Sequence, residues 1–237
     1  MDLELTSVRK AYGKVVALDG VTLRARANET VAVVGPSGCG KSTLLELVCR
    51  LAEPDAGEVS TAPAALMPQR DGLLPWLSAL DNAGLALRAS GVSKRDARAA
   101  AHEHFEAFGL TGFERARPGE LSGGMRQRVA FLRTLLAGRP VLCLDEPFGA
   151  LDALTRSQMQ RWLADALLQE PRTVLLVTHD VEEAALLADR IVLLSPRPGR
   201  VVETIEVDLP RPRARTDLAI VELRERALAA IEQRELA

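Results

Sequence analysis

Residues 35–42 read G-P-S-G-C-G-K-S and fit the pattern G-x-x-x-x-G-K-[ST], which requires a strand–loop–helix unit around it. The apolar run Thr30–Val34 before the loop predicts a buried strand, and Thr43–Cys49 after it predicts a helix. Glycines let the backbone turn tightly, and the unpaired N–H groups at a helix start bind anions. The unit therefore predicts a site for the phosphates of a nucleotide.

Two side chains of this loop add chemistry that backbone amides lack. Lys41 supplies a mobile positive charge for phosphate oxygens, and the Ser42 hydroxyl is a ligand that Mg²⁺ accepts. The loop residues predicted to bind the nucleotide are Gly35, Pro36, Ser37, Gly38, Cys39, Gly40, Lys41, Ser42 and Thr43.

Composition excludes several other classes of protein. The chain has 237 residues, 47% of them hydrophobic, which is enough for one large domain or two small lobes. A net charge of −2 and an aromatic content of 3% argue against nucleic acid as a partner. Three scattered cysteines do not suggest a disulfide framework or a zinc site. No membrane-spanning run and no signal peptide is visible, so a cytoplasmic protein is expected.

The pattern of apolar residues changes along the chain. Leu3–Val8 and Val21–Ala27 predict strands of an antiparallel region, whereas Ser78–Ser90 and Ser93–Phe108 predict two helices of a helical middle region. Strand–helix alternation then returns, and Thr216–Leu236 predicts a closing amphipathic helix. The apolar side of that last helix is predicted to contain Leu218, Val221, Leu228 and Ile231.

Polar residues follow two of the predicted buried strands. Asp145 and Glu146 come after the apolar run that starts at Val141, and His179 comes after Thr173–Thr178. Ligands of open α/β sheets sit at the carboxyl edge of the strands, where these side chains are expected. One carboxylate can hold Mg²⁺ through its water shell and its neighbour can polarise an attacking water, while His179 is placed beside the terminal phosphate.

A second helix start has unusual chemistry. Ser122, Gly123 and Gly124 open a long amphipathic helix, although a double glycine weakens a helix start. Ser122 can be a simple N-cap, but bare N–H groups suit the close approach of a phosphate. By contrast, His102 and His104 lack the i, i+4 spacing of helical metal ligands and are interpreted as solvated surface.

Taken together, these motifs resemble those of the nucleotide-binding subunits of ATP-binding cassette (ABC) transporters, and the resemblance covers nearly the whole chain. It implies a Walker A loop at residues 35–43 and a Walker B strand at residues 141–146. Gln69 matches the glutamine of the Q-loop, Tyr12 the aromatic residue that stacks on adenine, and His179 the switch histidine. The signature motif corresponds to Leu121, Ser122, Gly123, Gly124, Met125 and Gln127, and the D-loop aspartate corresponds to Asp152.

This resemblance implies a fold and its boundaries. The expected class is α/β, with a P-loop NTPase (RecA-like) core, an antiparallel β region and an inserted helical lobe. Residues 1–237 would form a single ABC ATPase domain. Within it, 1–69 and 139–210 would be the nucleotide-binding core with the β region, 70–138 the helical lobe with the signature motif, and 211–237 the C-terminal helix.

It also implies a mechanism. Two copies of the chain would sandwich two ATP molecules, each between the Walker A loop of one copy and the signature helix of the other. Glu146 would be the general base, and Ser42, Gln69 and Asp145 would hold Mg²⁺. Gln69 would also sense the attacking water, His179 would contact the γ-phosphate, and Asp152 would signal across the homodimer.

The implied partners are two integral membrane permease subunits and, indirectly, a periplasmic or extracellular solute-binding protein. The chain would then lie peripherally on the cytoplasmic face of the membrane. The apolar segment 72–77, with Trp76, is expected to be exposed and to suit a socket for a membrane subunit, and ordinary packing between the lobes is the alternative. The sequence Leu-Leu-Pro-Trp in this segment, with Asp81-Asn82 downstream and Phe131–Thr134 after the signature, is similar to bacterial importers of nitrate, sulfonates, taurine and thiamine-precursor pyrimidines. An exporter ATPase and a soluble ABC protein remain the alternatives.

Overall fold

Two sheets and eight α-helices are present in the computed structural model, which describes residues 3–235 and the side chains as far as residue 230. The strands are β1 Leu3–Tyr12, β2 Val15–Ala25, β3 Thr30–Val34, β4 Ala56–Thr61, β5 Ala64–Met67, β6 Val141–Asp145, β7 Thr173–Thr178, β8 Arg190–Leu194 and β9 Val201–Glu206. The helices are α1 Lys41–Val48, α2 Ala79–Ala83, α3 Leu85–Ala89, α4 Lys94–His102, α5 Gly123–Leu135, α6 Ala153–Gln169, α7 Val181–Leu187 and α8 Leu218–Glu235.

The larger sheet has the strand order β5-β6-β7-β3-β8-β9. Strands β6, β7, β3 and β8 are parallel to one another, and β9 is antiparallel to β8. Every residue of β3, β6 and β7 is buried, as expected for parallel strands covered on both faces. Their carboxyl ends therefore meet at one edge, where the loops after β3, β6 and β7 begin.

The smaller sheet is antiparallel, with the order β2-β1-β4. Leu3, Leu5 and Val8 of β1 are buried and pack with the apolar side of β2. The predicted α/β class with an antiparallel β region is confirmed. The strands are longer than predicted, since β1 runs on to Tyr12 and β2 already begins at Val15.

The chain divides into two compact units. The first comprises the described parts of Met1–Leu66, Pro140–Glu146 and Leu163–Ala237, and it contains the large sheet. The second comprises Met67–Arg139 and Pro147–Trp162. The predicted helical lobe, residues 70–138, lies within the second unit. That unit's core includes the aromatic contacts of Phe108 and Phe131 with Trp162.

Two predicted helices of the second unit differ from the observed ones. The helix expected over Ser78–Ser90 is divided at Gly84, where a Cβ atom would lie 2.9 Å from the carbonyl oxygen of Ala97. A glycine therefore permits the close approach of α4 at this point. The helix expected over Ser93–Phe108 ends at His102, because tighter turns with hydrogen bonds three residues back replace it.

The closing helix forms, but Leu218 and Leu228 were wrongly predicted to lie on its buried side, while Val221 is half-buried. Leu218 is 71% exposed and Leu228 is 37% exposed, whereas Ile220 and Ala227 are buried. Helix α8 packs against α7, and this neighbour selects the buried stripe. Residue 236 and the side chain of residue 231 lie outside the described part of the chain. Within residues 3–235, no helix combines the length and the apolar character that crossing a bilayer requires.

Candidate functional site

The phosphate loop lies between β3 and α1 in the first unit. Gly40 caps α1 in the left-handed region, with φ of 101°, and a Cβ atom there would lie 2.7 Å from both the Ala17 carbonyl oxygen and Leu18 Cδ2. Only glycine fits this combination of backbone conformation and close contact. Nζ of Lys41 donates to the carbonyl oxygens of Gly35, at 2.7 Å, and Pro36, at 2.9 Å. The ammonium group is therefore held inside the loop at the start of α1.

Ser42 and Asp145 are brought together from distant parts of the sequence. Asp145 ends β6 and is 7% exposed, and the Ser42 side chain hydrogen-bonds to its carboxylate. Burial raises the pKa of the Asp145 carboxyl, the Ser42 hydrogen bond opposes the shift, and the neighbouring Glu146 carboxylate adds to it. A buried carboxylate beside a hydroxyl is a donor set of hard oxygens, so these two residues fit the predicted Mg²⁺ ligands.

Glu146 and His179 also meet, at the carboxyl edge of the large sheet. His179 Nδ1 lies 3.2 Å from Glu146 Oε1, and the His179 side chain is 63% exposed. Glu146 has φ of 48°, which costs a residue with a Cβ atom on the order of 1–3 kcal/mol. Its N–H donates to the carbonyl oxygen of Val177 at 2.8 Å, which holds this backbone in place. Strain of this kind is typical of functional positions.

Tyr12 lies beside the phosphate-loop helix. Its hydroxyl donates to Oε2 of Glu46 at 3.1 Å and also hydrogen-bonds with the Thr43 side chain, so α1 orients the ring. Burial, followed by the Glu46 interaction, raises the pKa of the Tyr12 phenol. The residue is 49% exposed, which leaves part of the aromatic ring open to a stacking partner.

The signature residues divide into buried and exposed members, all in the second unit. Leu121 and Gln127 are buried, each 4% exposed, whereas Ser122 and Gly123 are at the surface and Gly124 and Met125 are half-buried. Ser122 is the N-cap of α5, since its Oγ accepts from the Met125 N–H at 3.2 Å. A Cβ atom at Gly123 would meet only the far end of the Arg126 side chain, at 3.8 Å. Packing within the chain does not explain that glycine.

The other predicted residues of the second unit are Gln69 and Asp152. Gln69 is exposed after β5. Oδ1 of Asp152 accepts from the N–H groups of Leu154, at 3.1 Å, and Thr155, at 3.0 Å, and thus caps α6. Hydrogen bonds from Thr155 lower the pKa of the Asp152 carboxyl. The aspartate is ionised in the cap.

Sequence reasoning missed a set of contacts that holds the segment after Gln69. Arg126 Nε donates to Oδ2 of Asp71 at 3.0 Å, while Arg133 donates to the carbonyl oxygens of Asp71, at 2.8 Å, and Gly72, at 2.9 Å. The seven-residue spacing of the two arginines places them on one face of α5, and this was the available signal. The segment 71–72 is thereby joined to the signature helix.

Asn82 organises the next part of the same segment and was also missed. It is fully buried, accepts from the N–H of Leu74 at 2.8 Å and donates to the carbonyl oxygens of Leu74, Leu77 and Ser78. Its amide therefore holds the turn that contains Trp76, which is 68% exposed. The sequence shows only a single Asn in a short apolar helix, and this pattern does not predict that hydrogen-bond network.

Comparison with known proteins gives consistent matches. The family profile described as ABC transporter matches residues 18–149. The aliphatic sulfonates import ATP-binding protein of Pectobacterium atrosepticum is 44% identical over 97% of this chain and 86% of its own length. The formylaminopyrimidine import ATP-binding protein of Halalkalibacterium halodurans is 46% identical over 80% of this chain and 78% of its own. A dimeric ATP-binding cassette in a post-hydrolysis state with ADP and Pi superposes with a TM-score of 0.81 at 30% identity, covering 88% of this chain and all of that one.

Proposed function

Because the chain belongs to the ABC transporter family, we propose that it is the ATP-hydrolysing subunit of an importer and drives uptake of a small solute through separate membrane subunits. The chain binds ATP and is an ATPase. The observation that carries the proposal is the meeting of Ser42, Asp145, Glu146 and His179 where β3, β6 and β7 end. Residues 1–237 would act as one ABC ATPase domain, with the boundaries expected from sequence.

The proposed chemistry is attack of water on the γ-phosphate. Lys41 exchanges its loop carbonyls for phosphate oxygens, and the N–H groups of the phosphate loop bind the remaining charge. Ser42 and Asp145 would hold Mg²⁺, and Gln69 is proposed as a further ligand. When bound, that ion neutralises charge on the phosphates.

Glu146 is the proposed base, since its carboxylate accepts a proton from the attacking water. His179, 3.2 Å from that carboxylate, orients it and contacts the γ-phosphate. Tyr12 stacks on adenine with the exposed part of its ring.

A homodimer completes the proposed site. The signature terminus of one copy binds the γ-phosphate held by the phosphate loop of the other, and Asp152 lies at the contact between copies. The exposed Ser122 and Gly123 support this arrangement, because a glycine that meets only the end of one flexible side chain suits a ligand from outside the chain. The dimeric cassette with ADP and Pi supports it by similarity.

Two permease subunits are the proposed membrane partners, with a periplasmic or extracellular solute-binding protein acting through them. The chain would then be peripheral on the cytoplasmic face of the membrane. Trp76 is the proposed anchor for a permease, since large exposed aromatic residues often dominate interfaces. The proposed solute belongs to the nitrate, sulfonate, taurine or thiamine-precursor pyrimidine class, and similarity to sulfonate and formylaminopyrimidine importers supports the sulfonate and pyrimidine members of it.

Purification of the tagged chain from its own membranes tests the proposal. We expect two copies of the chain with two integral membrane subunits, and ATP-dependent uptake of an aliphatic sulfonate, taurine, nitrate or formylaminopyrimidine by liposomes that contain the complex. A chain that stays in the soluble fraction without a membrane partner would support the soluble ABC class instead. Movement of solute in the opposite direction would identify an exporter.

A further inference from the structure

The loop between β8 and β9, residues 195–200, forms a closed hairpin. The Ser195 N–H donates to the carbonyl oxygen of Arg200 at 2.9 Å, and the Ser195 hydroxyl donates to that of Pro198 at 2.9 Å. The Arg200 N–H donates back to the Ser195 hydroxyl at 3.0 Å. The hairpin is therefore shaped by its own hydrogen bonds.

This hairpin packs directly against the phosphate loop within the first unit. The Gly199 N–H donates to the carbonyl oxygen of Ala17 at 2.9 Å, and the Asp19 N–H donates to that of Gly199 at 3.0 Å. A Cβ atom at Gly199 would overlap the carbonyl oxygen of Cys39. Gly199 is therefore wedged between β2 and the phosphate loop, a contact that no larger residue permits.

Arg197, at the tip of the hairpin, contacts the phosphate loop from its outer side. Its Nε donates to the carbonyl oxygen of Gly38 at 3.1 Å, and its Nη2 lies 2.9 Å from the place a Cβ atom at Gly38 would take. Gly38 has φ of 76°, a conformation from which glycine changes readily. The hydrogen bond therefore acts on a peptide that can reorient.

The direction of this one carbonyl matters for anion binding. Successive N–H groups make an anion-binding concavity only while the intervening carbonyls point away from it. A Gly38 carbonyl turned inward would present negative partial charge to the phosphates. The guanidinium of Arg197 favours the outward direction because it supplies the donor on that side.

We propose that Arg197 is a positioning residue for nucleotide binding, which holds the Gly38 carbonyl outward so that the phosphate loop stays ready to bind phosphate. The role depends on the donor at Nε rather than on the charge. It acts on the loop that cradles the phosphates common to ADP and ATP, so both nucleotides depend on it equally.

Two substitutions separate the donor from the charge. Arg197→Gln keeps an N–H donor at the same distance along the side chain as Nε but removes the charge, and Arg197→Met has similar length without a donor. Titration of the purified full-length chain with ADP and with ATP measures the effect. We expect Arg197→Met to weaken both affinities by about 3- to 10-fold and Arg197→Gln to stay close to the parent protein.

Kinetics provide a readout that loss of folding would not mimic. The KM for ATP should rise in Arg197→Met by the same factor, with kcat nearly unchanged, because the bound nucleotide itself holds the loop once it is in place. The control is Arg200→Met. This change removes the ion pair between Arg200, in the same hairpin, and Asp19 of β2, and it does not touch Gly38. It should leave both affinities unchanged.

Four results would overturn the proposal. Unchanged affinities in Arg197→Met would show that the hydrogen bond does not matter. A loss for ATP alone, or an equal loss in Arg197→Gln and Arg197→Met, would point to direct charge attraction to the nucleotide. An equal loss in Arg200→Met would mean that the hairpin as a whole, and not Arg197, supports the loop.

Discussion

Arg126 Nε lies 3.0 Å from Asp71 Oδ2, and this ion pair joins the start of the signature helix to the segment that leads to Trp76. The two side chains are 36% and 29% exposed, so water weakens the pair only in part. Arg133 holds the same segment through backbone carbonyls. The segment 71–77, which contains Trp76, is the proposed docking segment. A displacement of this segment would therefore be transmitted directly to α5.

Asp71→Asn should reduce solute uptake per ATP hydrolysed by about 2- to 30-fold, because it weakens the link between the docking segment and α5. The ATPase rate of the isolated chain should change much less. Both are measured on the same preparation, alone and reconstituted with its membrane partners. As a control, Asp96→Asn removes an exposed carboxylate of α4. Full uptake by Asp71→Asn would show that the ion pair only stabilises the fold.

Trp76→Ala should lower assembly with the membrane subunits by at least about tenfold if this side chain anchors the interface. Since Trp76 is 68% exposed, its removal should leave the thermal midpoint of the isolated chain nearly unchanged. Phe113→Ala removes another exposed aromatic residue of the same unit as a control. Normal assembly and uptake by Trp76→Ala would exclude the docking role.

Glu146→Gln should slow ATP hydrolysis by at least about a hundredfold while ATP binding persists, because the amide cannot accept the proton of the attacking water. Hydrolysis is measured as phosphate release by the assembled complex, and binding by titration. Glu58→Gln, an exposed change in β4, is the matched control. Near-normal turnover in Glu146→Gln would remove this residue from the role of base.

Gly123→Asp should block hydrolysis without preventing nucleotide binding to the single chain, because a carboxylate at this open position would repel the partner's γ-phosphate. The control is Gly119→Asp, since a Cβ atom at that exposed glycine would have no neighbour within 4 Å.

Mixing Gly123→Asp with Lys41→Ala, which should lose nucleotide affinity by itself, tests the shared site further. A mixed dimer has one site with both halves intact and should recover part of the activity. No recovery, in a mixture shown to form mixed dimers, would argue against sites shared between two copies.

Asp145→Asn should stabilise the nucleotide-free chain at neutral pH and yet abolish Mg²⁺-dependent hydrolysis. Burial raises the pKa of this carboxyl, so the folded state binds its proton more tightly than the unfolded state does. Ionisation of Asp145 thus lowers the free energy of unfolding as pH rises above the unfolded-state pKa, and the lower stability persists above the folded-state pKa. The gain in thermal midpoint should be largest near pH 7.5 and shrink toward pH 4. A gain independent of pH would contradict this reason.

Many elements of the fold, and the types of residue at the candidate site, were predicted from short-range pattern. Thr30–Val34 and Thr173–Thr178 have the predicted bounds because unbroken apolar runs of that length suit buried parallel strands. The pattern of the phosphate loop predicts which residues bind phosphate, and the polar residues after β6 and β7 were placed by the rule that parallel strands share a carboxyl edge. Each of these inferences needs only neighbouring residues.

Tertiary structure alone decided what depends on contacts between distant residues. The buried stripe of α8 was set by its contact with α7, and the left-handed Glu146 by the strand beside it. Arg197 meets Gly38 across 159 positions of sequence, and Asp71 meets Arg126 across 55. Such pairs have no local periodicity, because their geometry comes from strand order and helix packing rather than from the conformational preference of either residue.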